Sequence, residues 1–198
     1  MKKKLSTLDL TLASMFVALM AIGANITSWV PFMTIGTVPI TLQTFFALLA
    51  GMILGSRLGA ISMTVYALVG LAGVPVFAKA GGGVATIFSS TFGFIISFIF
   101  TAYVVGKIAE KSKSLPVLIA ASLAGLVVNY VFGTNWMYFA LKFWAAAPPE
   151  FSYKIAWLWM VLPAIKDTIL AVLAAFMGYR LQRTVSSRSQ VNNLKRAI

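Results

Sequence analysis

The chain has no cysteine and no histidine, and only 4 of its 198 residues are Asp or Glu. Without cysteine there is no disulfide framework and no thiolate nucleophile; without histidine as well, a Ser–His dyad and the common zinc-ligand sets are missing. Four acids also leave little for a redundant proton relay. An intramembrane enzyme is therefore the weakest of the functional classes open to this sequence, and no metal site is expected.

Apolar residues fill the space that these absences leave. The chain is 60% hydrophobic and 10% charged, with a mean hydropathy of +0.93, which is the composition of an all-α integral membrane protein. Its net charge of +12 could suggest nucleic acid, but the basic residues lie between apolar runs and at the two ends of the chain. That placement follows the positive-inside rule, so no nucleic-acid partner is expected.

Apolar segments run over Leu8–Val30, Pro39–Gly55, Leu58–Leu71, Val84–Gly106, Leu115–Leu141 and Ile155–Leu181. They predict a single bundle of six transmembrane helices over residues 1–183, followed by a polar tail over 184–198. The second and third runs are short, about 22 Å each at 1.5 Å per residue against a hydrocarbon core of about 30 Å, so five spans is the neighbouring solution. With six, Lys2 to Lys4, Arg57, Lys107 to Lys113 and the basic residues from Arg180 onward share one side, leaving Lys79, Lys142 and Lys154 on the other. This asymmetry places both termini in the cytoplasm. The N-terminal run mimics a signal peptide but lacks a convincing cleavage site, and is read as the first span.

Polar residues inside the spans carry the functional signal. Lys166 and Asp167 sit in the last run, where a charge at bilayer depth costs about 2.5–3.5 kcal/mol even on the gentle insertion scale. Helical spacing groups Asp167 with Ala171, Ala174 and Gly178, a small-residue face suited to the bundle interior. Pro163, one turn earlier, frees a backbone carbonyl. In the fifth run Ser122, Gly125, Asn129, Gly133 and Trp136 share a stripe, and in the second Gln43 heads one with Ala47, Ala50 and Leu54. The outer segment around Lys79 and Gly81, Gly82 and Gly83 could line or cover an anionic ligand, although it is no phosphate-binding loop of the Gly-Lys-Ser/Thr kind. In the first span, Ala13, Ser14 and Ala18 form a small-residue surface for a neighbouring helix, in this chain or a partner.

The strings "VPITLQTFFALLAGMILGSRLGA", "YALVGLAGVPVFAKAGGG", "STFGFIISFIFTAYVVG" and "KDTILAVLAAF" together resemble the BioY family, the biotin-specific S components of energy-coupling factor (ECF) vitamin transporters. The resemblance spans about Leu8 to Arg183. It implies six helices, biotin capture from outside a prokaryotic cell membrane, and assembly with a transmembrane T subunit and two ATPases that hydrolyse ATP on the chain's behalf. It implies no cofactor, biotin being the transported substrate. The Ser14–Ala18 pair stands where the family's Ala-xxx-Ala docking surface is expected, and Asp167 takes the family's acidic position, here followed by Leu170 with its nearest Lys at 166. Biotin offers two ureido N–H groups, one carbonyl, an apolar bicycle and a carboxylate. Asp167 and Asn129 are the expected acceptors, Lys166 and Gln43 the donors, and Tyr66, Tyr130 and Trp136 the packing aromatics; Lys79, Lys166 and the glycine N–H groups at Gly82 share the claim to the carboxylate. The competing reading is an independent proton-coupled secondary transporter of a small carboxylated solute with Asp167 as carrier.

Overall fold

The computed structural model describes residues 6–26, 34–35 and 38–196. Five helices carry the fold: α1 (Thr7–Asn25), α2 (Gln43–Leu71), α3 (Phe92–Lys111), α4 (Leu115–Phe143) and α5 (Tyr153–Arg196). All five are long and apolar enough to cross a membrane. Strands β1 (Thr34–Ile35) and β2 (Val38–Pro39) form a two-residue antiparallel ladder ahead of α2. Short 3-10 turns occupy Ala78–Ala80 and Val84–Phe88.

Local sequence explains several of the boundaries. At α1, Ser6 Oγ accepts from Asp9 N at 3.2 Å while Ser6 N donates to Asp9 Oδ2 at 2.9 Å, a reciprocal pair that satisfies two otherwise orphaned donors. The proline near the start of α4 occupies the first turn, where its missing N–H costs nothing. The first predicted run extends through Val30, but α1 ends at Asn25, and 27–30 lie outside the described residues. The fourth run was expected to be helical from Val84; the helix instead starts at Phe92, after a 3-10 turn. The polar segment from 184 is expected as a separate tail, yet the backbone of α5 continues through Arg196 without a break.

The second helix is not one rod. At Gly55 the backbone takes φ 80° and ψ 175°, a conformation open to glycine and closed to most side chains, and the chain doubles back. A Cβ on Gly59 would lie 3.2 Å from Ala50 O and from Gly51 Cα, and Gln43 Nε2 donates to Tyr66 Oη at 2.9 Å. In a straight helix residues 43 and 66 would stand about 34 Å apart. The arms 43–54 and 56–71 therefore form an antiparallel hairpin, matching the division between the second and third predicted runs. At the turn, Glu110 Oε1 of α3 accepts from Ser56 N at 2.7 Å and from Ser56 Oγ at 2.8 Å, capping the second arm.

Around this hairpin α2 packs on α1, α3 and α5, and α4 on α3 and α5. The contacts are made by small residues: Ala47, Ala50, Ala102, Ala121, Ala171 and Ala174 have no exposed surface. Close backbone approach replaces a hydrophobic driving force where the surroundings are lipid. At Gly106 the approach is backbone to backbone, since a Cβ there would fall 2.2 Å from Ser56 N.

Candidate functional site

A cavity of about 280 Å³ opens at the end of the bundle where the first arm of α2 begins. Its helical wall carries Gln43, Thr44, Asn129, Tyr130, Lys166 and Asp167, and the segments around α2 and α3 add Thr41, Lys79, Gly81, Thr86, Ser89 and Thr91. Phe77, Phe94, Ile95, Phe98 and Met160 supply the apolar part. Most polar lining groups in such a site orient a ligand, while the apolar surface holds it.

Asp167 organises the helical wall. It is 4% exposed, on the predicted face with Ala171, Ala174 and Gly178, all of them buried. Its Oδ2 accepts from Tyr130 Oη at 2.7 Å and from Thr44 Oγ1 at 3.2 Å. Its Oδ1 lies 2.8 Å from Lys166 Nζ. The ammonium, which has three donors, reaches this oxygen and also Thr41 O at 2.5 Å, so Oδ1 is held by one charged partner and keeps a further lone pair. A buried carboxylate that keeps an unused lone pair beside a cavity is prepared for an incoming N–H donor.

Asn129 is 2% exposed and pairs with Ser97 across the α3–α4 interface, Ser97 Oγ lying 2.6 Å from Asn129 Oδ1 and 2.7 Å from Phe94 O. One hydroxyl proton serves only one of those acceptors. With the proton on Phe94 O, the amide turns its nitrogen to Ser97 and its oxygen to the cavity; with the proton on Asn129, the nitrogen faces the cavity. Both arrangements leave one unspent polar face on the ligand side, an acceptor in the first case and a donor in the second.

The opposite wall is built from loop. Asn25 at the end of α1 accepts from Ala80 N at 2.7 Å through Oδ1, and Lys79 and Ala80 sit at φ 60° and 54°, a left-handed turn that Gly81 N and Gly81 O close onto Phe77. Farther along, Trp136 Nε1 donates to Ser89 O at 3.2 Å and Trp144 Nε1 to Phe88 O at 2.7 Å. Two indoles, one in α4 and one at its C-cap, thus pin the end of the 3-10 turn and the hydroxyl residue after it over the cavity. With Lys79 and Lys166 against one carboxylate, the lining carries a net positive charge.

A model of the BioY family matches residues 1–187, and BioYB of Bacillus subtilis (strain 168) is 44% identical over 193 residues, 96% of each chain. The chain belongs to the BioY family. The biotin transporter BioY of Thermotoga maritima is 34% identical over 176 residues, covering 86% of this chain and 94% of its own. The crystal structure of the S-component for biotin from an ECF-type ABC transporter superposes with a TM-score of 0.68 over 91% of this chain and 95% of that one; at 24% identity the likeness is one of fold.

Within this BioY-family cavity, Asp167, Asn129, Lys166, Gln43, Lys79 and Tyr130 come together as lining residues. Three of the expected site residues do not line it. Tyr66 is fully buried behind Gln43, donating from Oη to Val76 O at 2.9 Å. Trp136 spends its indole on Ser89 and its ring on Phe92 and Trp144, at centroid distances of 5.8 and 6.0 Å. Gly82 is packed onto the chain, a Cβ there falling 2.6 Å from Val74 O, and its neighbour Gly81 reaches the cavity instead. Thr44, Ser97 and the loop hydroxyls Thr86, Ser89 and Thr91 were not expected. The hydroxyl residues Thr86, Ser89, Ser90 and Thr91, within eight positions of Gly83, are a signal that could have found the last three.

On α1, Ser14 and Ala18 are exposed, whereas Ala13 is buried and its carbonyl accepts from Ser62 Oγ at 2.7 Å. Ala13 therefore binds α1 to the second arm of α2, and the outward small-residue surface is Ser14 and Ala18 alone.

Proposed function

We propose that the chain is the biotin-binding S component of an ECF-type transporter, a transport subunit and not an enzyme. The observation that carries this reading is Asp167, a buried carboxylate whose Oδ1 has Lys166 as its one close partner at the wall of a cavity lined otherwise by cationic, amide, hydroxyl and apolar groups. A ureido ring has N–H groups for Asp167 and a carbonyl for the Asn129 amide or the Gln43 or Lys166 donors. Lys79, with the hydroxyls of Thr86, Ser89 and Thr91, supplies a cation and neutral donors for the valerate carboxylate. Phe77, Phe94 and Phe98 pack the bicycle. A ligand without the ureido group leaves Asp167 buried and under-bonded, which is where discrimination comes from.

In this reading the arms of α2 count as two spans, giving a six-span protein of a prokaryotic plasma membrane with both termini in the cytoplasm and the cavity facing out. The fold likeness to a solved biotin S-component supports that arrangement. Ser14 and Ala18 on the exposed side of α1 dock a T subunit, which couples the loaded chain to two ATPases. The chain carries no Gly-Lys-Ser/Thr phosphate loop of its own.

Calorimetric titration of biotin into the purified, detergent-solubilised chain tests the proposal. Tight binding with one ligand per chain is expected, and dethiobiotin, which keeps the ureido group, competes while free valerate does not. A folded chain that takes up no biotin refutes the assignment.

A further inference from the structure

A second concave surface, sharing no lining residue with the cavity, runs between the first arm of α2 and α5. It measures about 680 Å³ and is lined by Leu42, Phe45, Phe46, Leu170, Leu173, Phe176, Met177, Arg180 and Leu181. Its lining is apolar from one end to the other except for Arg180. We propose that this groove binds one anionic phospholipid of the leaflet opposite the cavity, an acyl chain lying along α5 and the phosphate on Arg180.

Length argues for a lipid chain. From Leu170 to Leu181 the groove follows α5 for about 16 Å at 1.5 Å per residue, close to half of a hydrocarbon core of about 30 Å. It is therefore about one leaflet deep, with its only charge at the end where that leaflet's headgroups begin. Charge argues for an anionic headgroup. Arg180 is exposed, and among the described residues no carboxylate is ion-paired with it. A guanidinium at that depth matches a phosphate in bidentate fashion. Arg183, three residues on, lies 5.3 Å over the Tyr179 ring, which holds it to its own helix and leaves the groove mouth to Arg180. The occupant also has access: Leu173, Phe176 and Met177 are each about half exposed, so a chain enters sideways from the bilayer.

The test is native mass spectrometry of the full chain released from micelles doped with equal amounts of dioleoylphosphatidylglycerol and dioleoylphosphatidylcholine. Wild type is expected to retain a single phosphatidylglycerol in preference to phosphatidylcholine. Arg180→Gln should cut that preference about fivefold, the weight of one basic residue at an anionic surface. Arg183→Gln should leave it near the wild-type value, and Leu173→Trp, which fills the groove, should remove the bound lipid. Thermal transitions of the variants check folding; Arg180→Gln, at an exposed side chain, decides the matter if Leu173→Trp fails to fold. Equal retention of the two lipids by wild type, an unchanged preference in Arg180→Gln, or equal losses in Arg180→Gln and Arg183→Gln would each overturn the proposal, the last by assigning the attraction to diffuse charge.

Discussion

The two ends of the α2 hairpin hold their carboxylates differently. At the Gly55 turn the carboxylate is taken up by the chain: Glu110 Oε1 accepts both donors of Ser56, while Gln182 Nε2 donates to Met52 O at 2.7 Å and its Oε1 stays unpaired. At the open end, Asp167 Oδ1 keeps a lone pair beyond its ion pair with Lys166, and the Asn129 amide spends one of its two polar ends on Ser97. In a low-dielectric bundle a carboxylate beside a cavity is costly to keep, and a ligand with N–H donors would offset that cost. The first carboxylate fixes the fold; in the reading proposed above, the second is kept for recognition.

If that contrast holds, damage at the turn should be structural and damage at the cavity functional. The largest effect is expected from Gly106→Ala. Its Cβ would stand 2.2 Å from Ser56 N and 2.4 Å from Ser56 Cα, backbone atoms that shift only if the hairpin opens. Overpacking of side chains costs about 1–3 kcal/mol, and a backbone clash sits at or beyond the top of that range. Loss of folded protein in size-exclusion chromatography, or a large drop in thermal transition temperature, checks it.

Asp167→Asn should do the reverse. The amide nearly preserves shape and can still accept from Tyr130, but it loses the charge that makes the ligand bonds strong and the pairing with Lys166. A hydrogen bond to a charged group is worth about 1.5–3 kcal/mol, a loss of roughly ten- to more than a hundredfold in biotin affinity. Calorimetry gives the affinity, and an unaltered elution profile shows that the protein is folded. An affinity equal to wild type would detach Asp167 from recognition.

Glu110→Ala sharpens the turn side of the comparison. It removes the cap on the second arm, which by analogy with helix N-caps costs about 1–2 kcal/mol, while biotin affinity stays at the wild-type value because the cavity is at the other end of the hairpin. A lower transition temperature together with an unchanged binding isotherm is the expected pair of readings.

Much of this contrast was legible in the sequence, and the illegible part has a common cause. Spacing along one helix identifies a face, so Asp167 with Ala171 and Ala174, and Asn129 with Gly125 and Gly133, were readable as inward stripes. The hairpin was readable as two short runs, too short for straight spans. Which residue of one element meets which of another was not readable. Tyr66 and Trp136 have the right chemistry for a ligand, yet Tyr66 serves Gln43 and Val76 O, and Trp136 serves Ser89 O. Ala13, Ser14 and Ala18 looked like one surface, and the helix turns Ala13 inward. The wall from Thr86 to Thr91 was hidden because its hydroxyls lie in a short 3-10 turn and the bend after it, with no amphipathic period to announce them.

Thr44 was hidden for a related reason, and it yields the smallest predicted effect. It stands one position after Gln43, about 100° around the helix, so a single inward stripe on that arm would exclude one of the two. Both are buried because the arm has neighbours on several sides, and Thr44 faces α5. Its Oγ1 reaches Asp167 Oδ2 at 3.2 Å, a longer bond than the 2.7 Å from Tyr130 to the same oxygen. Thr44→Val keeps the volume and removes this one donor, leaving Oδ2 with Tyr130 and the carboxylate with Lys166. The expected loss in biotin affinity is about 0.5–1 kcal/mol, or roughly two- to fivefold. A larger loss would mean that Thr44 donates to the ligand itself, moving it from the support of Asp167 into the recognition surface.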